Sequence, residues 1–232
     1  MQYFALLISQ ERELTPDERA PVMTAYQNFH ATAGSAIRAG DALLPTATGV
    51  RITGGPDSPV VTDGPFAEAA EVACGYYVFE AENLDEALKL ARDIPAAQHG
   101  AIEVRPTYHA FDPDWTGTGG QWLALLLESP ASANTPGTPE WEAEAARHTE
   151  FAAAAGDHIA GGAALRESAT ATTVRVRDGQ VLLTDGPYAE GAEIATGFYL
   201  LAAADRDEAV KLAGMIPAST VELRQLAGVS GL

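Results

Sequence analysis

The stretch Thr-Asp-Gly-Pro-Phe-Ala-Glu at residues 62–68 returns as Thr-Asp-Gly-Pro-Tyr-Ala-Glu at residues 184–190. Asp-Gly-Pro is a turn signal, because Asp bonds to nearby backbone, Gly accepts unusual backbone angles and Pro fixes φ. A single copy would predict only a turn. Two copies 122 residues apart indicate that a larger unit is repeated.

The flanking sequence confirms that the chain is a duplication. Residues 62–95 and 184–217 align without gaps and share 20 of 34 positions. A shift of 119 pairs the apolar run at 3–8 with that at 122–127, and Glu-Val-Arg at 103–105 with Glu-Leu-Arg at 222–224. We therefore predict two domains, 1–110 and 122–232, joined by a Pro- and Gly-containing linker at 111–121.

Each copy shows the same order of elements. A buried strand is followed by a helix that begins at Thr-Pro (15–16 and 138–139) and is predicted to end at glycine, near Gly40 and Gly161–Gly162. A hairpin follows, and in the second copy Asp178-Gly179 fits a type I′ turn. A strand with aromatic residues, a second helix and a last strand complete the copy.

This order predicts an α+β fold of two ferredoxin-like, split βαβ domains, each with one extra hairpin. Helices cover only one face of such a sheet, so the other face must be buried. We expect the two copies to pack sheet to sheet as an intrachain pseudo-dimer that resembles a dimeric α+β barrel. Further association into a homodimer is left open.

Composition restricts the classes of function. The chain has 32 acidic and 14 basic residues and a net charge of −18, so nucleic-acid binding is not expected. One cysteine excludes an intrachain disulfide, and neither a signal peptide nor a membrane-spanning run is evident. We expect a cytoplasmic protein without membrane partners.

The repeated motif, the strand Gly-Tyr-Tyr-Val-Phe (75–79), the helix Asp-Glu-Ala-Leu-Lys-Leu-Ala (85–91) and the closing Glu-Val-Arg-Pro (103–106) resemble the YCII-related family, in particular its DGPF branch. The resemblance covers both halves. It implies a dimeric α+β barrel and, from better-studied relatives, action on small molecules through a His–Asp pair. It also implies a genomic link to extracytoplasmic-function sigma factors. Ala69-Ala70 and Gly191-Ala192 replace the Thr-Lys that is frequent in this branch.

Carrying that pair over suggests His30 with Asp63 in the first copy, and His148 with Asp185 in the second. Each aspartate could instead only cap its own turn. His30 aligns with Ala152, and Tyr26 with His148, so the second imidazole comes one helical turn earlier. The two sites therefore differ, or one has decayed.

Other polar residues could line a cavity and bind a ligand. They are Tyr26, Glu68, Tyr77, Glu190 and Tyr199. The plainer interpretation of the glutamates is that they are acids at a helix N-terminus. Tyr77 and Tyr199 follow Tyr76 and Phe198 on their strands, and only one residue of each pair can face a cavity.

No metal site is predicted, because the five histidines have no ligand-like spacing. No phosphate loop or nucleophile motif indicates a cofactor. The leading hypothesis is cofactor-free acid–base catalysis on a small molecule: isomerisation, elimination or hydrolysis. The alternative is a non-catalytic ligand-binding or regulatory module.

Overall fold

The computed structural model describes residues 1–65, 71–115, 119–130, 134, 137–188 and 193–229. The first copy contains β1 (Gln2–Ser9), α1 (Pro16–Ala33), β2 (Ile37–Ala42), β3 (Val50–Thr53), β4 (Val60–Asp63), β5 (Val72–Glu80), α2 (Leu84–Asp93) and β6 (Ala101–Pro106). The second contains β7 (Gly120–Glu128), α3 (Pro139–Ala155), β8 (Ile159–Ala164), β9 (Thr172–Arg177), β10 (Gln180–Asp185), β11 (Ile194–Ala203), α4 (Arg206–Gly214) and β12 (Thr220–Gln225). The fold is α+β, as expected.

Local sequence signals set several of these boundaries. Thr15 caps α1 in a reciprocal capping box with Glu18, and Thr138 caps α3 by accepting from the Trp141 N–H at 3.3 Å. Asp178 and Gly179 both have positive φ, 53° and 75°, so the predicted type of hairpin turn between β9 and β10 is confirmed.

The predicted ends of the first helix in both copies were wrong. In the second copy α3 ends at Ala155, and Gly161 and Gly162 lie inside β8. Gly40 lies inside β2, and α1 ends at Ala33. A Cβ atom on Gly40 would lie 2.2 Å from Cδ1 of Tyr77, and one on Gly162, in β8, would lie 2.9 Å from Cδ1 of Tyr199. The repeated glycine therefore admits a tyrosine ring from the neighbouring strand and does not terminate a helix.

Two six-stranded antiparallel sheets form, and each takes a hairpin from the other copy. The first sheet has the order β10-β9-β6-β1-β5-β2, and the second β4-β3-β12-β7-β11-β8. Thus β9 pairs with β6, and β3 pairs with β12. The extra hairpins, which we expected within their own domains, are exchanged between the copies.

A buried apolar cluster draws side chains from both sheets. Its larger members are Phe4, Leu6, Tyr76, Val78, Leu123, Leu125, Phe198 and Leu200. The rings of Phe4 and Phe198 stack with centroids 4.3 Å apart. Two further clusters bury the opposite faces, one around Phe29 of α1 and one around Phe151 of α3. Alternation along β11 sends Phe198 to the shared cluster and Tyr199 toward α3.

The segment between the copies also packs. Phe111 exchanges two hydrogen bonds with the Gln2 side chain, at 2.6 and 2.9 Å, and its ring meets Phe198 edge-on. Trp115 packs against the shared cluster. None of the described helices is long and apolar enough to cross a membrane.

Candidate active site

A histidine and a tyrosine meet where α3 lies over β11. His148 Nδ1 lies 3.0 Å from the Tyr199 hydroxyl oxygen. Burial lowers the pKa of His148 against the opposing charge of Glu144, so the imidazole is neutral at pH 7. Burial also raises the pKa of Tyr199 to about 12, which keeps the phenol protonated. The pair can exchange a proton with a third group.

The first copy builds a related pair from a different helix position. His30 Nε2 lies 2.6 Å from the hydroxyl of Tyr77, the counterpart of Tyr199. Tyr26, at the position of His148, packs against the core beside Cys74, and burial raises its pKa. Each copy thus places an imidazole beside the equivalent tyrosine, Tyr77 or Tyr199. In the second copy the histidine comes one helical turn earlier in the helix than in the first.

A cavity of about 710 Å³ adjoins the His148–Tyr199 pair, and we call it the α3 cavity. One wall is the α3 face with Trp141, Glu144 and His148, which recur at helical spacing. Apolar side chains form most of the remainder: Leu126, Leu165, Ile194 and Phe198. The first copy contributes Arg105, Tyr108 and His109. The volume falls within the range of sites for small organic molecules.

Glu128, at the end of β7, is a second titratable group in the wall of the α3 cavity. Burial and the nearby Glu144 carboxylate raise the pKa of Glu128 to about 7. Glu144 itself accepts a hydrogen bond of 2.6 Å from the Asn134 amide. A carboxyl group poised near neutrality can give or take a proton at physiological pH.

We expect Glu128→Gln to stabilise the protein increasingly as the pH rises. The folded-state pKa of about 7 lies above the ordinary 4.5, so the unfolded chain ionises first and Glu128 favours unfolding above about pH 5. An uncharged amide removes this penalty, which is on the order of 2 kcal/mol once the pH exceeds 7. Denaturant unfolding at pH 5 and pH 8 measures it, with Glu150→Gln on the exposed side of α3 as the control. A constant difference at both pH values would contradict the raised pKa.

Two buried arginines tie the copies together, and neither was assigned a role from the sequence. Arg105 in β6 and Arg224 in β12 are 1% and 2% exposed. Arg105 bonds to Glu103 on its own strand and to the carbonyl oxygen of Ala195 in the other copy. Arg224 bonds to Glu222 on its own strand, and across to the carbonyl oxygens of Ala73 and Leu44. Residues 73 and 195 correspond in the duplication, so this cross-contact is symmetric, whereas the bond to Leu44 is made by Arg224 alone of the two arginines.

The expected His–Asp pairings need correction, because hairpin exchange moves each aspartate to the other sheet. Asp63 ends β4, is exposed, and accepts a hydrogen bond from Arg206 at the start of α4. Asp185 ends β10 in the first sheet and is exposed. Each histidine bonds instead to a tyrosine, His30 to Tyr77 and His148 to Tyr199. Glu68 and Glu190 lie outside the described residues.

Several cavity residues escaped the sequence reasoning, although comparing the copies carried a signal. At three wall positions a neutral residue of the first copy is replaced by a charged one. The pairs are Ser9 and Glu128, Val22 and Glu144, and Leu44 and Arg166. These three charges distinguish the wall of the α3 cavity from the corresponding positions of the first copy.

The sequence of the chain matches a known family. The model of the YCII-related domain matches residues 1–110 and 123–225, and the chain therefore belongs to the YCII-related family. An uncharacterized protein of Rhizobium meliloti (strain 1021) is 41% identical over 66 residues, which is 28% of this chain and 53% of that protein. The chain thus spans about half the length of this curated relative.

Among solved structures, the crystal structure of "Putative Chlorite dismutase" is similar over 99% of this chain and 95% of its own, at 9% identity and a TM-score of 0.44. A TM-score this low supports no inference about activity.

Proposed function

We propose that this chain binds a small organic molecule in the α3 cavity and transfers a proton on it without a cofactor. The observation that supports this most is the hydrogen bond between His148 and Tyr199 in the wall of a 710 Å³ cavity. Acid–base chemistry needs a neutral base, a positioned donor and a space for the reacting molecule. All three requirements meet at this place.

The roles follow from the chemistry of each group. In the tautomer with its proton on Nδ1, His148 donates to the Tyr199 oxygen, and its Nε2 lone pair is left to accept a proton. The substrate's C–H bond breaks, the proton passes to Nε2, and the electron pair moves onto an adjacent carbonyl oxygen. Glu128, in its protonated form, gives a proton to that oxygen or to a leaving group. An isomerisation is completed when the enol returns its O–H proton to Glu128 and His148 delivers the Nε2 proton to another carbon of the conjugated system, so that both side chains regain their starting protonation states.

We also propose that the two copies act as an intrachain pseudo-dimer of ferredoxin-like units. The shared apolar cluster and the exchanged hairpins support this arrangement. It explains why the α3 cavity of the second copy includes Arg105 and Tyr108 of the first. In this view the first copy completes the site of the second.

The experiment is deuterium exchange in D₂O with a panel of small carbonyl and unsaturated acids and their esters. Proton abstraction at carbon introduces deuterium, which mass spectrometry detects as a mass increase of the compound itself, whatever the product. We expect exchange for at least one compound, and a loss of about 100-fold or more in His148→Ala. Exchange that persists unchanged in this variant would refute the role of His148.

A second outcome distinguishes the alternative function. Compounds of the panel that bind the protein, detected by quenching of Trp141 fluorescence, but show no exchange would favour a non-catalytic ligand-binding module. Trp141→Phe controls for quenching at Trp115 and Trp122. Any link to a sigma factor stays a prediction.

A further inference from the structure

Two arginine side chains in the wall of the α3 cavity have donors that the protein does not use. Within the described residues, the buried side-chain atoms without a hydrogen-bond partner are Arg51 Nε, Arg105 Nε, Trp122 Nε1 and Arg166 Nε. Arg105 and Arg166 line the cavity, and the other two do not. A buried donor without a partner is unfavourable, because it has lost its hydrogen bonds to water and gained none in the protein. Two such donors at one cavity indicate a binding position for a ligand that carries hydrogen-bond acceptors.

The equivalent arginine, which reaches from the second copy into the first, uses the corresponding donor within the protein. Arg224, the counterpart of Arg105, donates from Nε to the Leu44 carbonyl oxygen at 3.2 Å. The residue that corresponds to Leu44 is Arg166. Arg105 Nε forms no such bond within the described residues, and the side chain at the position of Leu44 is a second guanidinium.

The Arg166 guanidinium is positioned by an aromatic ring, but no carboxylate among the described residues pairs with it. It stacks over the Tyr108 ring, with Cζ 4.8 Å from the centroid, and forms no hydrogen bond or ion pair with a described residue. The Tyr108 hydroxyl donates to Glu167 at 2.9 Å. The stack fixes the plane of the guanidinium and leaves its donor fork available.

From these contacts we infer that the ligand of the α3 cavity is an organic acid, whose carboxylate binds Arg166 and Arg105 while its apolar part packs on Leu126, Leu165 and Phe198. This inference rests on the proposed function and names its substrate class. A guanidinium fork matches a carboxylate in geometry and charge. The apolar walls require the rest of the molecule to be largely hydrocarbon.

The same wall carries two further carboxylates, Glu144 and Glu167, which accept hydrogen bonds from the side chains of Asn134 and Tyr108 respectively. Neither of these donors is charged, so a ligand carboxylate depends on the directed donors of Arg105 and Arg166 to bind beside them. Glu128 has a pKa of about 7 and is neutral in a large fraction of molecules at physiological pH. A bound anion would favour its protonated form further, so the acid should bind with proton uptake and more tightly below pH 7 than above it.

The test uses two probes of nearly the same shape, 4-phenylbutanoate and its uncharged amide 4-phenylbutanamide, with affinities from calorimetry. In the wild-type chain the acid should bind about tenfold or more tightly than the amide. Arg166→Leu copies the residue of the first copy, and should reduce the affinity for the acid to that for the amide. The affinity for the amide should stay the same. Arg92→Leu, which removes one exposed positive charge from α2, is the matched control and should behave as wild type.

Each other outcome has a distinct meaning. Equal affinity of acid and amide for the wild type, or an equal loss of both in Arg166→Leu, would overturn the carboxylate assignment and leave the cavity as a site for neutral molecules. If neither probe binds at millimolar concentration, the organic-acid assignment fails together with the small-molecule site itself.

Discussion

Arg224→Leu should lower the free energy of unfolding by about 3–5 kcal/mol, because it leaves a carboxylate and two carbonyl oxygens without their donor. The Arg224 side chain is 2% exposed, and its guanidinium lies 3.2 Å from the Glu222 carboxylate. It also donates to the carbonyl oxygens of Leu44 and Ala73 in the first copy. Leucine can fill the space but cannot donate. Arg224 is not a wall residue of the α3 cavity, so the effect reports on the fold alone.

Chemical denaturation followed by circular dichroism measures this loss. The double variant Arg224→Leu/Glu222→Leu should recover part of it, since the unpaired carboxylate is then absent. Arg92→Leu on the surface should change stability by no more than about 0.5 kcal/mol. A loss below about 1 kcal/mol in Arg224→Leu would show that the cross-copy contacts contribute little.

Residues 1–110 produced alone should have no stable folded monomer and should associate as a homodimer. The β3–β4 hairpin pairs with β12 of the other copy. The side chains of Phe4, Leu6 and Val78, on one face of the first sheet, are buried against the second sheet. Without that partner the hairpin loses its paired strand and the apolar side chains are exposed to water. The free energy lost would exceed the net stability of a domain of this size. A second fragment can supply the same contacts, because its β6 is the counterpart of β12.

Analytical ultracentrifugation and thermal unfolding across a range of concentrations test this. The expected results are a dimer mass and a melting temperature that rises with protein concentration. Phe4→Asp places a charge in the shared cluster and should abolish association and folding together. A monodisperse monomer with native circular dichroism would contradict the pseudo-dimer.

Those features that local chemistry decides could be predicted from the sequence. Thr15 and Thr138 begin helices because a side-chain oxygen satisfies a free backbone N–H. Asp178-Gly179 makes a tight turn because both residues tolerate positive φ. The duplication followed from the repeated residues themselves, and the α+β class from the order of the predicted elements.

Features that depend on contacts between distant residues could not be predicted in the same way. Gly40 resembles a helix terminator in sequence, and only the Tyr77 ring above it reveals its role. The Asp63 carboxylate was expected beside His30, but hairpin exchange places it against Arg206 of the other copy. The wall of the α3 cavity combines residues far apart in the chain, and no motif connects them.

The proposed chemistry is decided by comparing His148→Ala with His30→Ala in the deuterium-exchange assay. Each variant removes one imidazole and its hydrogen bond to the equivalent tyrosine, so the two are matched in chemistry. Because the α3 cavity adjoins only His148 of this pair, we expect exchange to be lost in His148→Ala and retained within about twofold in His30→Ala. Loss confined to His30→Ala would place the working site in the first copy and contradict the proposed mechanism.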